Sequence, residues 1–464
     1  MLQKSSASFR DPFGSVYFDS LHNRIIRSVN AVGLKEYQIV RNNPFIKNLI
    51  KEQKLLDECA INDDILKKEL HAELLLEHPV LDFISYPYEW SFAALKKAAL
   101  LHLSIQKHAL EHNIILRDAS AYNIQFIGTN PIFIDHLSFG IYQKGQLWLA
   151  QQQFLEQFLF PLLIFAYAGI PFHDLYRSNI NGINNTLCKK LLPNLTKLRA
   201  RTFLYVILPE LLEGVANPPI LQFANPKALH LPKQAYLKNL ERLFSWINSL
   251  HIKQKNKRNW SQYSLLDSYS PAAKQSKEGL LVQYIQSVQP NLVYDFGCNQ
   301  GHYASLMLKA GVKNVIGFES CPYTVEKAFN IADKQQCTFT PLFLRLENPS
   351  PNQGAFENEH TCLSRRARPD CIIALAVLHH LVITAKLPIE KICDYFTSMA
   401  SQGLIEFIPL DDEQCQKMIQ WQPRTFNEYR LDVITHFLEK HGCRITLHPI
   451  QDSKRIMIEF CKQC

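Results

Sequence analysis

The chain has 464 residues, of which 47% are hydrophobic and 20% are charged, and its formal net charge at pH 7 is +8. This composition is ordinary for a soluble globular protein, and the length excludes a single hydrophobic core, so at least two domains are expected. The modest positive charge favours anionic partners slightly but is not the signature of a dedicated nucleic-acid-binding protein.

The start of the chain and its cysteines indicate a cytoplasmic protein. The first residues, MLQKSSASFRDPF, lack the charged-then-apolar pattern of a secretory signal, and the twelve cysteines have no repeating spacing, so free thiols are expected. The apolar stretch Phe158–Phe172 contains two prolines and predicts a buried helix rather than a membrane span. Cys461 and Cys464 form one C-x-x-C without a second pair, so no metal site is predicted.

The N-terminal part predicts a short β region followed by many helices. Two apolar alternations between Phe13 and Val29 predict a hairpin. Helical periodicity dominates from about Asn43 to Glu77, and a long helix is expected from Ser91, its cap, to about Glu111. From Leu147 to about Leu250 the pattern is again mostly helical. The first domain is therefore predicted to be α+β and mostly helical.

A polar constellation between Ile114 and Phe139 has the spacing of a kinase-like site. Asn123 follows Asp118 by five residues, and an apolar strand ends in Asp135. Protein-kinase-like folds place a catalytic Asp, a metal-binding Asn and a second metal-binding Asp in this order. A reduced kinase-like fold that binds ATP and Mg²⁺ is one interpretation. Under the other, the three side chains only cap turns.

Other kinase features depart from the expected pattern. There is no G-x-G-x-x-G, only Gly14 ahead of the first predicted strand, and the place of the nucleotide-contacting lysine falls near Arg24 or Arg27. Arginine does not replace lysine conservatively at such a site. His136 stands where a phenylalanine normally follows the second Asp. A kinase-like fold is thus better supported than an active phosphotransferase.

A polar segment separates the two expected domains. Residues 248–278 are rich in Lys, Gln, Asn and Ser and poor in core residues, so they cannot bury enough apolar surface to form a core. The boundary is placed near residue 255, which gives domains of residues 1–255 and 256–464.

The stretch LVYDFGCNQGHYASLMLKAGVKNVIGFE predicts a strand, a glycine turn, a helix and a second strand. Gly297 and Gly301 allow a sharp turn and close approach of the backbone to a ligand. Glu319 ends the second strand, where an acid can accept hydrogen bonds from a ribose diol. Asp295 and Asn299 complete a turn that resembles the D-x-G-x-x-x-G turn of class I S-adenosylmethionine (SAM)-dependent methyltransferases.

The rest of the second domain predicts further strands of an α/β sheet. A third strand is expected at Phe339–Leu346, and the apolar run Asp370–Leu381 predicts a fourth strand that stops at His379 and His380. Ligands of open α/β sheets lie beyond the carboxyl ends of the strands, so either histidine is a candidate base that takes a proton from the acceptor. Alternatively, both histidines only pack under the next helix. A fifth strand and a closing antiparallel pair complete the sheet.

Seven blocks carry a resemblance to a known family. In chain order they are YPYEWSFAALKKAAL, LRDASAYNIQF, FIDHLSFG, DFGCNQG, ENPSPNQG, ALAVLHHL and LIEFIP. Together they resemble bacterial two-domain class I SAM-dependent methyltransferases that are related to nodulation proteins. The resemblance spans nearly the whole chain. It implies that SAM is held at Asp295, Gly297, Asn299, Gly301 and Glu319.

Two positions depart from the family pattern. Arg345 stands where relatives tend to carry an Asp on the third strand, and Glu347 follows two residues later as the candidate adenine contact. Leu410 stands where relatives tend to carry a lysine after the fifth strand. Contact with the adenine is therefore less strongly implied than contact with the ribose.

The sequence thus predicts a cytoplasmic two-domain enzyme with a Rossmann-like, class I methyltransferase sheet behind a kinase-like domain. A small molecule or saccharide is the favoured methyl acceptor, and nucleic acid or protein stays open, as does the oligomeric state. Two other functions stay open as well. The first domain could be a phosphotransferase with a regulatory second domain, or the second domain could be a non-catalytic SAM-binding module.

Overall fold

The computed structural model describes residues 2–209, 230–252, 269–366, 368–420 and 425–463. The chain forms two compact units. The first contains Met1–Leu81, Ser85–Lys255 and Asn352–His360, and the second contains Asp82–Ile84, Asn256–Pro351 and Thr361–Cys464. Each unit therefore includes a short piece from the other half of the sequence. The predicted boundary near residue 255 lies outside the described residues.

The first unit begins with a five-stranded antiparallel sheet in the order β1-β2-β3-β5-β4. Two smaller antiparallel pairs follow, β6 with β9 and β7 with β8. The strands are β1 (Leu2–Lys4), β2 (Gly14–Asp19), β3 (Arg24–Val29), β4 (Cys59–Ile61), β5 (Leu74–His78), β6 (Ile114–Leu116), β7 (Ile124–Ile127), β8 (Asn130–Phe133) and β9 (Phe139–Ile141). The predicted hairpin is confirmed as β2 and β3. Gly14 belongs to β2 and does not precede the first strand.

Strands interrupt the stretch Asn43–Glu77, where helical periodicity was expected to dominate, so that prediction is wrong in part. Only Pro44–Lys51 and Asp64–Glu69 are helical there, and β4 and most of β5 also lie in this stretch. The strand β5 pairs with β3 on one side and with β4 on the other. Its apolar start, Leu74 to Leu76, is continuous rather than alternating, and periodicity alone cannot tell such a run from a buried helix.

The long helix of the first unit is confirmed as Phe92–Glu111, with Ser91 accepting a hydrogen bond from the N–H of Ala94 at 3.0 Å. The helices of this unit are α1 (Ala31–Arg41), α2 (Pro44–Lys51), α3 (Asp64–Glu69), α4 (Phe92–Glu111), α5 (Gln151–Phe154), α6 (Phe160–Leu163), α7 (His173–Arg177), α8 (Asn185–Leu191), α9 (Asn194–Lys197), α10 (Ala200–Thr202) and α11 (Lys233–Ser249). Wider π turns span Leu155–Leu159, Ile164–Ala168 and Phe203–Ile207. The apolar stretch after Phe158 is core, and none of the described helices could cross a lipid bilayer.

The second unit is a seven-stranded sheet in the order β12-β11-β10-β13-β14-β16-β15. The strands from β12 to β14 are parallel, and β16 runs antiparallel to both of its neighbours. They are β10 (Leu292–Phe296), β11 (Asn314–Glu319), β12 (Phe339–Phe343), β13 (Cys371–Ala374), β14 (Gln402–Phe407), β15 (Cys443–Pro449) and β16 (Ile456–Lys462). The predicted doubly wound sheet with a closing antiparallel pair is confirmed, although the third strand ends at Phe343 rather than Leu346.

Helices connect the strands of this sheet and bury apolar residues against it. They are α12 (Pro271–Val288), α13 (His302–Lys309), α14 (Pro322–Gln335), α15 (Leu363–Arg366), α16 (Ile389–Met399), α17 (Glu413–Ile419) and α18 (Leu431–Lys440). The core on one side of the sheet includes Leu281, Met307, Val315 and Ile373. These parallel strands, β10 above all, are buried along their length, which is typical of a sheet covered by helices on both faces.

The short piece in each unit makes specific contacts. In the second unit, the ring of Phe83 packs edge-on against Tyr294 and Phe318, with centroid separations of 5.7 and 5.9 Å. In the first unit, the ring of His360 stacks on Tyr122 at 4.0 Å. Glu359, next to it, pairs with the guanidinium of Arg10. Each piece is thus held by side chains of the unit to which it belongs.

Candidate functional site

The glycine turn joins the ends of two neighbouring strands. Gly297, with φ of +73°, follows β10, and its N–H donates to the carbonyl oxygen of Phe318 in β11 at 2.8 Å. Gly301, with φ of +85°, precedes the first residue of α13, and no side chain caps this helix. The amide groups of the first helical turn are therefore open to an acceptor from a ligand.

Each glycine of the turn is also required by packing. A Cβ on Gly297 would clash with Cγ2 of Val377, and one on Gly301 would lie 2.5 Å from the ring of Phe339. Side chains other than glycine are also strained at these positive φ angles. The predicted sharp turn is confirmed, and Val377 lies over its first glycine.

Glu319, the last residue of β11, faces the glycine turn. Its Oε2 accepts the N–H of Asn299 at 3.2 Å, and its Oε1 accepts the N–H of Cys321 at 2.9 Å. Burial raises the pKa of this carboxyl, although these amide donors oppose the rise. The carboxylate thus lies between the turn and the start of the next helix, where it can also accept hydroxyl groups of a ribose.

Asp295 is a buried acid with an unused oxygen. It lies in β10, is 2% exposed, and among the described residues its Oδ2 has no hydrogen-bond partner. Burial raises its pKa to about 8, with the positive charge of Lys277 opposing the rise and the negative charge of Glu319 adding to it. A cationic ligand beside this carboxyl would favour its ionised form.

The raised pKa of Asp295 predicts a pH-dependent stability. The unfolded carboxyl has an ordinary pKa of 3.8, whereas the folded one keeps its proton to about pH 8. Folding therefore takes up a proton between these values, and the free energy of unfolding falls as pH rises, by up to about 1.4 kcal/mol per pH unit. We expect Asp295→Asn to lack this pH dependence. The free energy of unfolding of the variant, measured by urea titration, should therefore rise relative to that of the parent up to about pH 8. A constant difference would contradict the assignment.

The two candidate catalytic histidines do not end a strand, so this expectation was wrong. The strand β13 stops at Ala374, and His379 and His380 follow a connecting segment in which Ala376 has φ of +56°. Their rings are 4.2 Å apart. Burial lowers the pKa of His379 to about 3 and also lowers that of His380. Both are therefore neutral at physiological pH and are weaker bases than the sequence suggested.

His379 nevertheless has a buried ring nitrogen that can accept or donate a hydrogen bond. It is 4% exposed, and its Nδ1 has no hydrogen-bond partner among the described residues. The charges of Lys277 and Arg455 contribute to the lowered pKa of His379. The charge of Lys277 also acts on the pKa of Asp295, so one charge influences both residues.

A buried ion pair near Asp295 has no counterpart in the sequence predictions. Lys277 of α12 and Glu406 of β14 are 1% and 0% exposed, and Nζ lies 2.8 Å from Oε2. The hydroxyl of Tyr269 accepts from Lys277 at 3.0 Å and donates to Glu406. The guanidinium of Arg455 lies 4.2 Å from the centroid of the Tyr269 ring and pairs with Asp412 at 2.9 Å. The positive charges of this network act on the pKa of Asp295 and of His379.

Glu347, the candidate adenine contact, lies outside β12. It is exposed on the turn that follows the strand, and the neighbouring Arg345 packs over the ring of Phe343 at 5.4 Å. Asn299, by contrast, is part of the turn and has φ of +48°. The N–H of Asn299 donates to Glu319. A role for Glu347 stays a prediction.

The structure brings together the three kinase-like residues of the first unit. The side-chain amide of Asn123 donates to Asp118 at 2.8 Å, and the guanidinium of Arg27 lies 3.2 Å from Asp135. Burial raises the pKa of Asp118, and the negative charge of Asp135 adds to the rise. Asp135 also accepts the N–H of Leu137 at 3.1 Å. These side chains make bonds within the chain that hold both turns.

Comparisons with known proteins bear on both units. Residues 264–451 match the family model described as a methyltransferase domain. The chain is 33% identical over 458 residues to the nodulation protein NoeA of Rhizobium meliloti (strain 1021), a match that covers 98% of this chain and 95% of that protein.

Solved structures of methyltransferases align with part of the chain. Magnesium protoporphyrin IX methyltransferase (ChlM) from Synechocystis PCC 6803 is 18% identical, with a TM-score of 0.31, over 45% of this chain and 90% of its own. The N-methyltransferase NodS from Bradyrhizobium japonicum WM9 is 13% identical, with a TM-score of 0.32, over 42% of this chain and 99% of its own. The family assignment rests on the family model and the full-length relative.

Proposed function

The chain belongs to the family of the nodulation protein NoeA and is a class I SAM-dependent methyltransferase, and we propose that its glycine turn holds SAM for methyl transfer to a small molecule or saccharide. The observation that carries the proposal is the carboxylate of Glu319 against the N–H of Asn299 in the turn between β10 and α13. The unused oxygen of Asp295 in the adjoining strand fits a ligand with a positive charge.

SAM supplies an electrophilic methyl group on a sulfonium, so the protein has mainly to align the acceptor and exclude water. In this proposal Gly297 and Gly301 let the backbone approach the ligand, and Glu319 accepts hydrogen bonds from its ribose. The carboxylate of Asp295 balances the positive charge. Glu347 is proposed as the residue nearest the adenine, on the strength of its place after β12.

The acceptor is proposed to meet the two histidines. A hydroxyl or amine can donate a hydrogen bond to an unprotonated nitrogen of His379, since this ring is neutral at physiological pH. Its pKa of about 3 makes it a weak base, so orientation of the acceptor is the role that its environment favours. His380, whose ring adjoins it, would act with it.

Labelling of cell extracts tests the proposal. The purified protein is incubated with isotopically labelled SAM and with separate small-molecule, polysaccharide, RNA and protein fractions, alongside a Glu319→Ala control. Label in the small-molecule or polysaccharide fraction that the control lacks would support the proposal. Label only in RNA or protein would contradict the acceptor class, and failure of equilibrium dialysis to detect SAM binding would contradict the proposed SAM site.

We further propose that the first unit is a reduced kinase-like domain without phosphotransfer. The antiparallel sheet ahead of a helical region, and the β7–β8 hairpin between Asn123 and Asp135, support a kinase-like fold. Both carboxylate oxygens of Asp118 and Oδ1 of Asp135 already bond within the chain, and Arg24 or Arg27 stands near the expected lysine place.

Calorimetry of the whole protein with ATP and Mg²⁺ is expected to give no saturable heat. A magnesium ion at Asp135 would have to compete with the guanidinium of Arg27, which pairs with Oδ1 of this carboxylate. A saturable, magnesium-dependent heat that is lost in Asp118→Ala would instead establish a nucleotide site in this unit.

A further inference from the structure

A cluster of two histidines and a glutamate is buried in the first unit. Glu58, His78 and His136 are 7%, 5% and 4% exposed. One potential ligand atom from each residue lies within 4.8 Å of the others. Nδ1 of His136 and Oε2 of Glu58 are 3.2 Å apart, close to the separation of about 3.3 Å between two ligands of a tetrahedral zinc ion.

Three strands and their turns bring this cluster together. Glu58 precedes β4, His78 ends β5, and the register of these strands, Cys59 opposite Glu77, places Glu58 opposite His78. His136 comes directly after Asp135 and β8. The segment before Glu58 joins the end of β8, because the N–H of Leu56 donates to the carbonyl oxygen of Phe133 at 2.8 Å.

Backbone carbonyls determine which ring nitrogens carry protons. Nε2 of His136 lies 2.6 Å from the carbonyl oxygen of Leu56, and Nδ1 of His78 lies 3.1 Å from that of Asp57. A carbonyl oxygen only accepts, so both of these nitrogens are the donors. In a neutral ring the other nitrogen then carries a lone pair, and a hydrogen bond of this kind to a backbone carbonyl is what metal-binding histidines usually make.

Glu58 has one oxygen held by the protein and one that is not. Oε1 accepts the hydroxyl of Tyr37 at 2.6 Å and pairs with Nε of Arg41 at 2.6 Å. Oε2 accepts no hydrogen bond of adequate geometry from the described residues, although it faces Nδ1 of His136. A lone pair on that nitrogen would repel the carboxylate unless a cation lay between them.

We propose that Glu58, His78 and His136 form a zinc site. Two imidazole nitrogens and one carboxylate oxygen suit a four-coordinate zinc ion, with a water molecule as the fourth ligand. Glu58 also lines an open pocket of about 390 Å³ together with Tyr37 and Arg41.

The position of the site indicates a structural role. The proposed ion would fasten the starts and ends of β4, β5 and β8 to one another, and His136 is adjacent to Asp135 in the kinase-like turn. His136, which stands where a phenylalanine follows the second Asp in kinase-like folds, would thus be a zinc ligand. The alternative is a protonated His136 paired with Glu58 without any metal.

Metal analysis of the full-length protein separates these two cases. Protein purified without an affinity metal is expected to contain about one zinc per chain by inductively coupled plasma mass spectrometry. Glu58→Gln, His78→Gln and His136→Gln should each lose most of it, and His22→Gln, at an exposed histidine paired with Asp19, should keep it. Tyr37→Phe should weaken zinc binding by about 10- to 100-fold, because it removes a hydrogen bond to the ligand Glu58.

A second measurement does not depend on the folding of the variants. Parent protein stripped with a chelator is titrated with Co²⁺, which should give the visible absorption of a four-coordinate nitrogen and oxygen site. The melting temperature should fall on chelation and recover with zinc. Metal-free protein that binds neither ion saturably would overturn the proposal in favour of the ion pair. A sulfur-to-cobalt charge-transfer band would overturn it in favour of cysteine ligands.

Discussion

Gly297→Ala is expected to abolish detectable SAM binding, with a loss of affinity of at least about 100-fold. The residue has φ of +73°, and a Cβ there would clash with Cγ2 of Val377 at the place where the backbone turns beneath the proposed ligand. Distortion of this turn would also displace Asn299 from Glu319. The loss corresponds to about 2.7 kcal/mol of binding free energy and would be measured by calorimetry with SAM.

Two further variants separate binding from folding. Gly442→Ala is the matched control, because Gly442 has φ of +76° and nothing within 4 Å of its added Cβ. An alanine at this position has the same backbone strain of about 1–2 kcal/mol, but it leaves the glycine turn intact. In Gly297→Ala/Val377→Ala the clash is relieved, so most of the SAM affinity lost in the single variant should return. Unchanged SAM affinity in Gly297→Ala itself would show that the turn does not hold the cofactor.

Lys277→Met is expected to destabilise the protein by about 3–5 kcal/mol, since it leaves the charge of Glu406 buried and unpaired. Both side chains are almost fully buried, and Tyr269 is bonded to both. The loss would appear as a lower midpoint in urea denaturation at neutral pH. The same change removes the positive charge that opposes the raised pKa of Asp295, so SAM affinity should fall as well.

The control for this prediction is a pair on the surface. Lys417→Met breaks a pair with Glu413 in which both side chains are more than half exposed, and it should cost less than about 1 kcal/mol. Lys277→Met/Glu406→Gln should recover much of the stability lost in the single variant, because no charge is then left unpaired. Equal losses from Lys277→Met and Lys417→Met would mean that the buried charges are solvated in solution.

The parts of the fold and site that could be predicted from the sequence depend on neighbouring residues. The glycine turn, the strands on either side of it and the acid at the end of β11 occupy one continuous stretch, so local spacing was enough. The start of α12 at Pro271 lies inside the stretch 248–278, which was expected to be too polar to form a core, although its signal is present. Ser270 accepts from the N–H of Ala273 at 3.1 Å, and Pro271 is the first helical residue. With the helix starting there, Lys277 lies well inside it.

Features that depend on distant residues could not be predicted. Lys277 and Glu406 are far apart in sequence and meet only through the sheet. The ligands proposed for zinc come from three separate turns with no motif spacing. His379 was misplaced for a different reason: the segment between Ala374 and His379 is as apolar as the strand before it, and the bend at Ala376 leaves no mark in composition.

The exchange of short pieces between the two halves of the sequence has a consequence for how such a gene can evolve. Residues 82–84 complete the methyltransferase unit, and residues 352–360 complete the other. A gene fission in the polar region around residue 255 would yield two polypeptides that each lack part of their own fold. The two halves should therefore be inherited as one reading frame, and neither should recur alone by simple shuffling.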